Sequence, residues 1–281
     1  MTEETAELGR LVLGLHYSAS DRATMELAAK LAQALGRDLF GLFLADESVL
    51  GLAGLPFARE FRPLGGGWQP LDAERLAGEL DLVARTAGRL FAEAARTMGA
   101  AARFQVVKAS AAQAIASTSQ AGDVVLLAEP RSAAERVTHT FLSLVEAAFE
   151  SAGRVMFIPR RIARERGPIV VIAHSPSDTT AWLGLMIATL TKEDMIVIET
   201  GGRGAGDRSA SRLVKAAEVA GVSVRRVQID GLPAHDGHAL GAVLGPVQER
   251  LLVVGRRLLD EAALSTLASL RGVPVLVVDA R

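Results

Sequence analysis

Two stretches of the chain resemble each other: GLHYSASD at Gly14–Asp21 and VIAHSPSD at Val171–Asp178. In each stretch a histidine stands where an apolar run ends, small polar residues and an aspartate come next, and a helical pattern follows. A short apolar run that leads into a helical pattern is typical of a parallel strand and its crossover helix. The repetition predicts a duplicated βα pattern, with His16 and His174 at equivalent positions.

Short apolar runs alternate with longer helical patterns along the chain, and the runs VVLLA, IVVIA and LLVVG are continuously apolar, as parallel strands covered on both faces are. The helical segments carry apolar residues three and four positions apart. The predicted strands are Arg10–His16, Asp38–Ala45, Ala102–Lys108, Asp123–Ala128, Arg154–Pro159, Pro168–Ala173, Asp194–Glu199, Ser223–Ile229, Arg250–Val254 and Pro274–Val278. The predicted helices are Ser20–Leu35, Leu71–Met98, Ser110–Gln120, Ala133–Ser151, Asp178–Leu190, Arg208–Ala220, Asp236–Val247 and Asp260–Leu270.

The charged segment PRRIARERGP, Pro159–Pro168, separates the two rounds of this pattern. It predicts two units, residues 1–160 and residues 167–281. Because strands alternate with helices in each unit, and such crossovers are right-handed, each unit is expected to form an open, doubly wound parallel sheet of the α/β class. Ligands of such sheets bind beyond the carboxyl ends of the strands, so both histidines are expected where a site would lie.

Composition excludes several classes of protein. The chain has 281 residues, is 49% hydrophobic and carries a net charge of −1, which supports a sizeable core and gives no electrostatic basis for binding nucleic acid. It has no cysteine, so disulfides, thiolate metal sites and cysteine nucleophiles are excluded, which fits a cytoplasmic protein. No window of about 18 apolar residues predicts a membrane span, and the first residues do not resemble a secretory signal.

The chain resembles a tandem member of the universal stress protein family. The features that carry the resemblance are the first strand and helix, RLVLGLHYSASDRATMELAAKLA, the ending GVPVLVVD, and the long segment after the second strand, Glu47–Pro70. The resemblance implies two five-stranded sheets, each in the order 3-2-1-4-5, related by a pseudo-two-fold axis. It also implies a non-enzymatic, stress-associated regulatory or adaptor role, in which the chain binds a protein partner or a small ligand.

The nucleotide signature of that family is degenerate here. In nucleotide-binding members an aspartate ends the first strand, and a glycine-rich loop after the fourth strand holds the phosphates. Histidines replace both aspartates, the first unit has no glycine in that loop, and the second unit keeps Gly255 in a shortened one. No cofactor is therefore expected, and the alternative is an ATP- or AMP-binding sensor built on the second unit. The candidate ligand-binding residues are His16, Ser18, Ser143, His174, Gly255 and Arg256.

Other motifs could bind a phosphate, a metal or an anion, but their residue spacing does not favour these functions. The glycine run TGGRGAGD, Thr200–Asp207, lacks the spacing of a phosphate loop and is interpreted as a connector. In PAHDGHAL, Pro233–Leu240, two histidines and an aspartate could begin a metal site, but Asp236 is predicted to be a helix N-cap and no metal is expected. Four arginines could collect an anion, or could be ion-paired or solvated at a sheet edge: Arg225, Arg226, Arg256 and Arg257.

The segment Glu47–Asp72 is too apolar for a free loop. We expect Leu55, Phe57 and Phe61 to bury apolar surface against the first unit or against a second copy of the chain, which would make a homodimer. Packing within the chain is the favoured interpretation. Binding of another protein is the functional alternative.

Overall fold

The computed structural model describes residues 8–15, 22–45, 51, 55, 57–62, 67–120, 122–128, 139–200, 207–229, 236–245, 247–258 and 261–279. The strands are β1 Leu11–Leu15, β2 Leu39–Leu44, β3 Arg59–Arg62, β4 Gly67–Pro70, β5 Ala102–Val107, β6 Val124–Ala128, β7 Arg154–Ile158, β8 Ile169–Ala173, β9 Met195–Glu199, β10 Val224–Gln228, β11 Leu251–Gly255 and β12 Val275–Val278. The helices are α1 Arg22–Leu35, α2 Ala73–Met98, α3 Ala111–Thr118, α4 His139–Ala152, α5 Thr179–Thr191, α6 Asp207–Ala220, α7 Gly237–Leu244 and α8 Glu261–Arg271. None of these helices is long and apolar enough to cross a membrane.

The predicted strand order is confirmed in both halves of the chain. The first half has the order β5-β2-β1-β6-β7 and the second has β10-β9-β8-β11-β12. Counted along each half without the β3–β4 hairpin, both orders are 3-2-1-4-5. All neighbours within a half are parallel, as expected of strands joined by crossover helices.

The two halves do not form separate sheets, which corrects the prediction. The last strands of the halves, β7 and β12, pair antiparallel and join all ten strands into one sheet. Both strands are almost fully buried, so an unpaired edge here would leave backbone groups without partners in an apolar setting. The strands of one half therefore run opposite to those of the other, as a two-fold relation requires. The predicted unit boundaries and the equivalence of His16 with His174 stay predictions, because His16 lies outside the described residues.

Among the described helices, four cover each face of the sheet, two from each half. One apolar core contains residues of α1, α2, α5 and α6, and the other contains residues of α3, α4, α7 and α8. The outer strands β5 and β10 are mostly exposed and carry arginine and glutamine, which discourages pairing with a further strand. The continuous apolar runs thus form strands covered on both faces, as predicted.

The same backbone hydrogen bonds recur in both halves. Leu11 donates to the carbonyl of Asp38 (2.9 Å), and Ile169 donates in the same way to Asp194 (2.8 Å). The helices before the second strand of each half end in a left-handed residue, Gly36 at φ 61° and Lys192 at φ 54°. The two halves therefore repeat the backbone geometry at their first strands as well as the strand order.

A buried carboxylate precedes the fourth strand of each half. Asp123 accepts hydrogen bonds from the backbone and guanidinium of Arg10, at 2.9 and 2.7 Å. Glu249, which is fully buried, accepts two from Arg271, both at 2.6 Å. The residue after each carboxylate donates a backbone hydrogen bond to the residue before the first strand of its half. Val124 donates to the Arg10 carbonyl, and Arg250 donates to the Pro168 carbonyl. The two carboxylates therefore occupy corresponding places in the two halves.

Arg164 ties the connector between the halves to this second carboxylate. Its Nε donates to the Glu249 carbonyl (2.8 Å), and its Nη2 donates to the Arg271 carbonyl (3.1 Å) and to the Glu249 carboxylate (3.3 Å). The hydrogen bond with Glu249 raises the pKa of Arg271, which favours the charged guanidinium in this cluster. The cluster thus fixes the connector on the amino-terminal edge of the second half.

Replacing Glu249 with leucine is expected to destabilise the fold strongly, because Arg271 and Arg164 would lose a buried counter-charge. Removing one partner of a buried ion pair costs about 3–5 kcal/mol. The matched control is Glu26→Ala, which breaks the exposed pair with Arg22 and should cost about 1 kcal/mol or less. Urea unfolding followed by circular dichroism measures both free energies. Equal losses in the two variants would contradict a structural role for the cluster.

Candidate functional site

The carboxyl ends of β8 and β11 form the switch point of the second half. The two strands are neighbours, and the helices that follow them, α5 and α8, pack on opposite faces of the sheet. The chain therefore leaves the two strands in opposite directions and creates the crevice in which open α/β sheets bind ligands. The equivalent edge of the first half includes residues 16–21 and 129–138, which lie outside the described residues.

The turn after β8 presents the predicted histidine to solvent. His174 is exposed, and Ser175 and Ser177 share a hydrogen bond between their hydroxyls (2.8 Å). Asp178 is the N-cap of α5 and accepts hydrogen bonds from the backbone N–H (3.0 Å) and the hydroxyl (2.9 Å) of Thr180. Asp178 therefore holds the buried Thr180 in one orientation at the start of the helix.

Thr180 and Leu258 cover the end of β11. A Cβ placed on Gly255 would lie 3.5 Å from the Thr180 hydroxyl and 3.6 Å from the Leu258 Cδ1. These are ordinary van der Waals distances, so the two side chains leave room for about a methyl group on this side of the glycine and for no larger group. A phosphate that used the backbone of Gly255 would have to displace them. Sequence reasoning identified Gly255 but missed Thr180 and Leu258, because their convergence depends on how α5 sits over β11.

Arg256, predicted to bind a ligand, is engaged in the junction of the two halves. Its guanidinium lies over the ring of Phe149, 4.2 Å from the ring centroid, and Nη1 lies 3.4 Å from Oδ2 of Asp279. Phe149 belongs to α4 of the first half and is fully buried. A cation held over an aromatic face and beside a carboxylate is stabilised where it stands. Arg256 therefore helps to hold the two halves together beside the β7–β12 pair.

The other predicted arginines are dispersed. Arg226 on β10 binds the Glu199 carboxylate through Nε (2.5 Å) and Nη2 (3.0 Å). Arg225 and Arg257 are exposed. The ion-paired or solvated interpretation is confirmed for Arg226, and the described side chains do not gather these arginines into one anion site.

The remaining candidates are divided between the halves. Ser143 lies half-buried on α4 of the first half, and its neighbour Leu144 packs against Gly14 of β1. His16 and Ser18 lie outside the described residues, so their role in binding stays a prediction. Only three of the six candidate residues are therefore seen at one edge: His174, Gly255 and Arg256.

Two further motifs fall partly outside the description. Asp236 is confirmed as the N-cap of α7, where it accepts hydrogen bonds from the N–H groups of His238 (2.8 Å) and Ala239 (3.1 Å). His235 and residues 201–206 of the glycine run are not described. In the part of the chain that is described, no three histidine, aspartate or glutamate side chains are grouped as metal ligands would be.

The apolar segment after β2 contains a β-hairpin, β3–β4, beside the start of α2. Glu60 on β3 forms an ion pair with Arg75 of α2, and Asp72 caps the helix directly after β4. Phe61 and Trp68 face each other across the hairpin with ring centroids 5.5 Å apart. The hairpin is thus held by polar contacts and displays an aromatic pair.

The favoured interpretation of this segment, packing within the chain, is wrong for its described apolar side chains. Leu55, Phe57 and Phe61 are all exposed, Phe57 to 76% and Phe61 to 58%. They bury little surface against the first half because the hairpin turns its polar face toward α2. A partner or a second copy of the chain stays the alternative.

Two cavities open away from the candidate edge. One, of about 30 Å³, lies beside α1 and is lined by Lys30, Arg164, Ile169 and Leu251. The other, of about 370 Å³, is a shallow cleft near Lys192 and Asp194. Both touch residues at or next to the first residues of strands, so both lie at the amino-terminal edge of the second half. Neither lies at the switch point.

The fold is similar to that of two crystal structures. A universal stress protein from Archaeoglobus fulgidus DSM 4304 superposes with a TM-score of 0.61 at 13% identity, over 96% of this chain and 98% of that chain. The cytoplasmic domain of a prokaryotic cation chloride cotransporter superposes with a TM-score of 0.56 at 10% identity, over 97% of this chain and 96% of that chain. No protein-family model and no curated protein matches the sequence. The chain thus has a universal-stress-protein-like fold along nearly its whole length.

Two glycine substitutions are expected to differ sharply in stability. Gly255→Ala should change the free energy of unfolding by less than about 1 kcal/mol, because the new Cβ meets only van der Waals neighbours. Gly167→Ala should cost several times more. Gly167 has φ +134°, and a Cβ there would lie 2.2 Å from the Gln248 carbonyl oxygen. Thermal and urea unfolding of both variants checks this, and a destabilising Gly255→Ala would show that the end of β11 is more crowded than described.

Proposed function

We propose that the chain is a non-enzymatic regulatory or adaptor protein of stress physiology, located in the cytoplasm, that acts by binding a protein partner or a small ligand. It has a universal-stress-protein-like fold, and this role is what that fold suggests. The observation that carries the proposal is the filled crevice at the switch point of the second half. Thr180 and Leu258 occupy the approach to Gly255, and Arg256 is bound to Phe149 and Asp279.

The chemistry of the described edge supports a role without catalysis. Asp178, the carboxylate nearest to the turn after β8, is committed to the N-cap of α5, and Glu199 is committed to Arg226. A general base needs a free lone pair within reach of a substrate proton, and a nucleophile needs such a base beside it. His174 is exposed at this edge, but the neighbouring hydroxyls of Ser175 and Ser177 bond to each other, and none of the described hydrogen bonds pairs one of them with the imidazole.

The second crystal structure supports an accessory role of this fold. In the cation chloride cotransporter the fold forms a cytoplasmic domain, that is, one part of a larger protein. By analogy, we infer that this chain serves another protein's activity and has no reaction of its own.

An adenine-nucleotide sensor built on the second half is the second candidate, and Gly255 favours it. The backbone at Gly255 has no positive φ, and an added Cβ would meet nothing closer than 3.5 Å. The fold thus does not require glycine at this position, whereas close approach of a phosphate to the backbone would. Nucleotide would then enter only if Thr180 and Leu258 moved.

Titration calorimetry with ATP and with AMP tests both candidates. We expect no saturable heat at ligand concentrations up to about 1 mM. A dissociation constant of about 1 mM corresponds to a binding free energy of about 4 kcal/mol in magnitude. Mass spectrometry of the purified chain should likewise show no retained nucleotide. Micromolar binding that is lost in Gly255→Trp would establish the sensor and overturn the adaptor proposal. Binding that survives Gly255→Trp and is lost in Ser143→Ala would place the nucleotide in the first half and refute both.

A further inference from the structure

The β3–β4 hairpin has a defined register that separates its two faces. Leu71 donates to the Ala58 carbonyl (2.9 Å), which makes Ala58 and Leu71 a hydrogen-bonded pair. Pairs alternate in an antiparallel hairpin, so Phe61 and Trp68 form a non-hydrogen-bonded pair, in which side chains stand closest. The outward face consists of Arg59, Phe61, Trp68 and Pro70.

In this hairpin the polar side chains face the protein and the aromatic side chains face solvent, which is the reverse of an ordinary packed hairpin. Glu60 and Gln69 are half-buried on the inner face, and Glu60 binds Arg75 of α2. Phe61 and Trp68 are 58% and 64% exposed on the outer face. A shift of one residue would turn the aromatic pair inward, so this register keeps two large apolar rings in water at a cost to stability. Such a cost is typical of a surface that binds.

The free edge of β3 offers backbone groups to an added strand. The N–H and carbonyl groups of Arg59 and Phe61 point away from β4, because both residues stand in non-hydrogen-bonded pairs. On the edge of β4, Pro70 has no N–H to donate. Among the described strands none pairs with β3 except β4. An extended segment would therefore add to β3 more readily than to β4.

The charge on the outward face selects an acidic segment. Arg59 stands on the same side of β3 as Phe61, and it has no carboxylate partner among the described residues. The exposed guanidinium attracts a carboxylate, and the aromatic pair beside it attracts an apolar side chain. Because alternate residues of a strand share one face, these two side chains of the bound segment stand two residues apart. The occupant that fits is an extended acidic peptide with interleaved apolar residues.

The observations favour such a peptide over a second copy of the chain or a membrane. The exposed parts of Phe57, Phe61 and Trp68 offer about 300–500 Å² of side chain, well below the roughly 800 Å² that each partner buries in a stable dimer. The outward face also holds no carboxylate that a second copy could give to Arg59. An anionic lipid surface is recognised by a cluster of several basic residues, whereas Arg59 is the single charged side chain of the outward face.

We propose that the outward face of the β3–β4 hairpin is the docking surface for an extended acidic peptide segment of another protein. The segment adds to the edge of β3, places an apolar side chain on the Phe61–Trp68 pair and gives a carboxylate to Arg59. This inference rests on the proposed adaptor function and names its partner class. Backbone bonds supply affinity, and the aromatic pair with Arg59 supplies selectivity.

The chain provides its own reporter for this test. It has two tryptophans, Trp68 and the half-buried Trp182 of α5, so Trp182→Phe leaves Trp68 as the single emitter. The probe is a phage-displayed library of short random peptides selected on the full chain, followed by synthesis of the enriched sequences. We expect enriched peptides to alternate acidic and apolar residues and to shift the Trp68 emission to shorter wavelength as the ring leaves water.

Variants assign the contacts. Phe61→Ser with Trp68→Ser should weaken peptide binding more than about tenfold, as loss of central aromatic anchors does. Arg59→Gln should weaken peptide binding by about tenfold. If an aspartate of the peptide pairs with Arg59, changing that aspartate to asparagine should cause no further loss of affinity in the Arg59→Gln variant. Val219→Ser, which removes an exposed apolar residue of α6, is the matched control and should change nothing. Anisotropy of a labelled peptide measures each affinity, and Arg59→Gln keeps the test valid if the double variant unfolds.

Three outcomes would overturn the proposal. The first is equal binding of the peptides by the parent and by Arg59→Gln. The second is a shift of Trp68 emission with protein concentration alone, which would indicate a second copy of the chain. The third is a shift on adding phosphatidylcholine–phosphatidylserine vesicles without peptide, which would indicate a membrane. The first outcome would leave the adaptor function standing, whereas nucleotide binding in calorimetry would refute that function.

Discussion

The antiparallel pairing of β7 with β12 determines the architecture of this chain. Each half ends in a strand that is apolar on both faces, and such a strand cannot leave its outer edge in water. By pairing with each other, the two strands satisfy both edges and continue the apolar cores on either side of the sheet. The outer edges are then β5 and β10, whose exposed arginines and glutamines tolerate solvent.

This pairing also separates the two candidate edges. Because the halves run in opposite directions, the carboxyl ends of their central strands open on opposite sides of the sheet. A ligand at one switch point therefore cannot contact the other. Arg256, which follows β11, is drawn instead to Phe149 of the first half and to Asp279. The residue that could have bound a phosphate strengthens the junction.

Function in this chain has more support at the hairpin than at the switch points. The crevice of the second half is closed by Thr180 and Leu258, both held by local structure, whereas the hairpin exposes an aromatic pair in a register that the Glu60–Arg75 pair maintains. An occupied crevice at the switch point and an exposed surface elsewhere agree with the adaptor role proposed above.

The order and boundaries of the central elements followed from the sequence, because apolar runs and helical periodicity are local signals. So did the helix cap Asp236, whose side chain bonds within three residues. The union of the two sheets, the closure over Gly255 and the outward aromatic face of the hairpin were decided by the tertiary structure. Each depends on groups distant in sequence, as Arg256 and Phe149 are, or on a strand register in which one residue of shift reverses the faces. No local pattern carries that information.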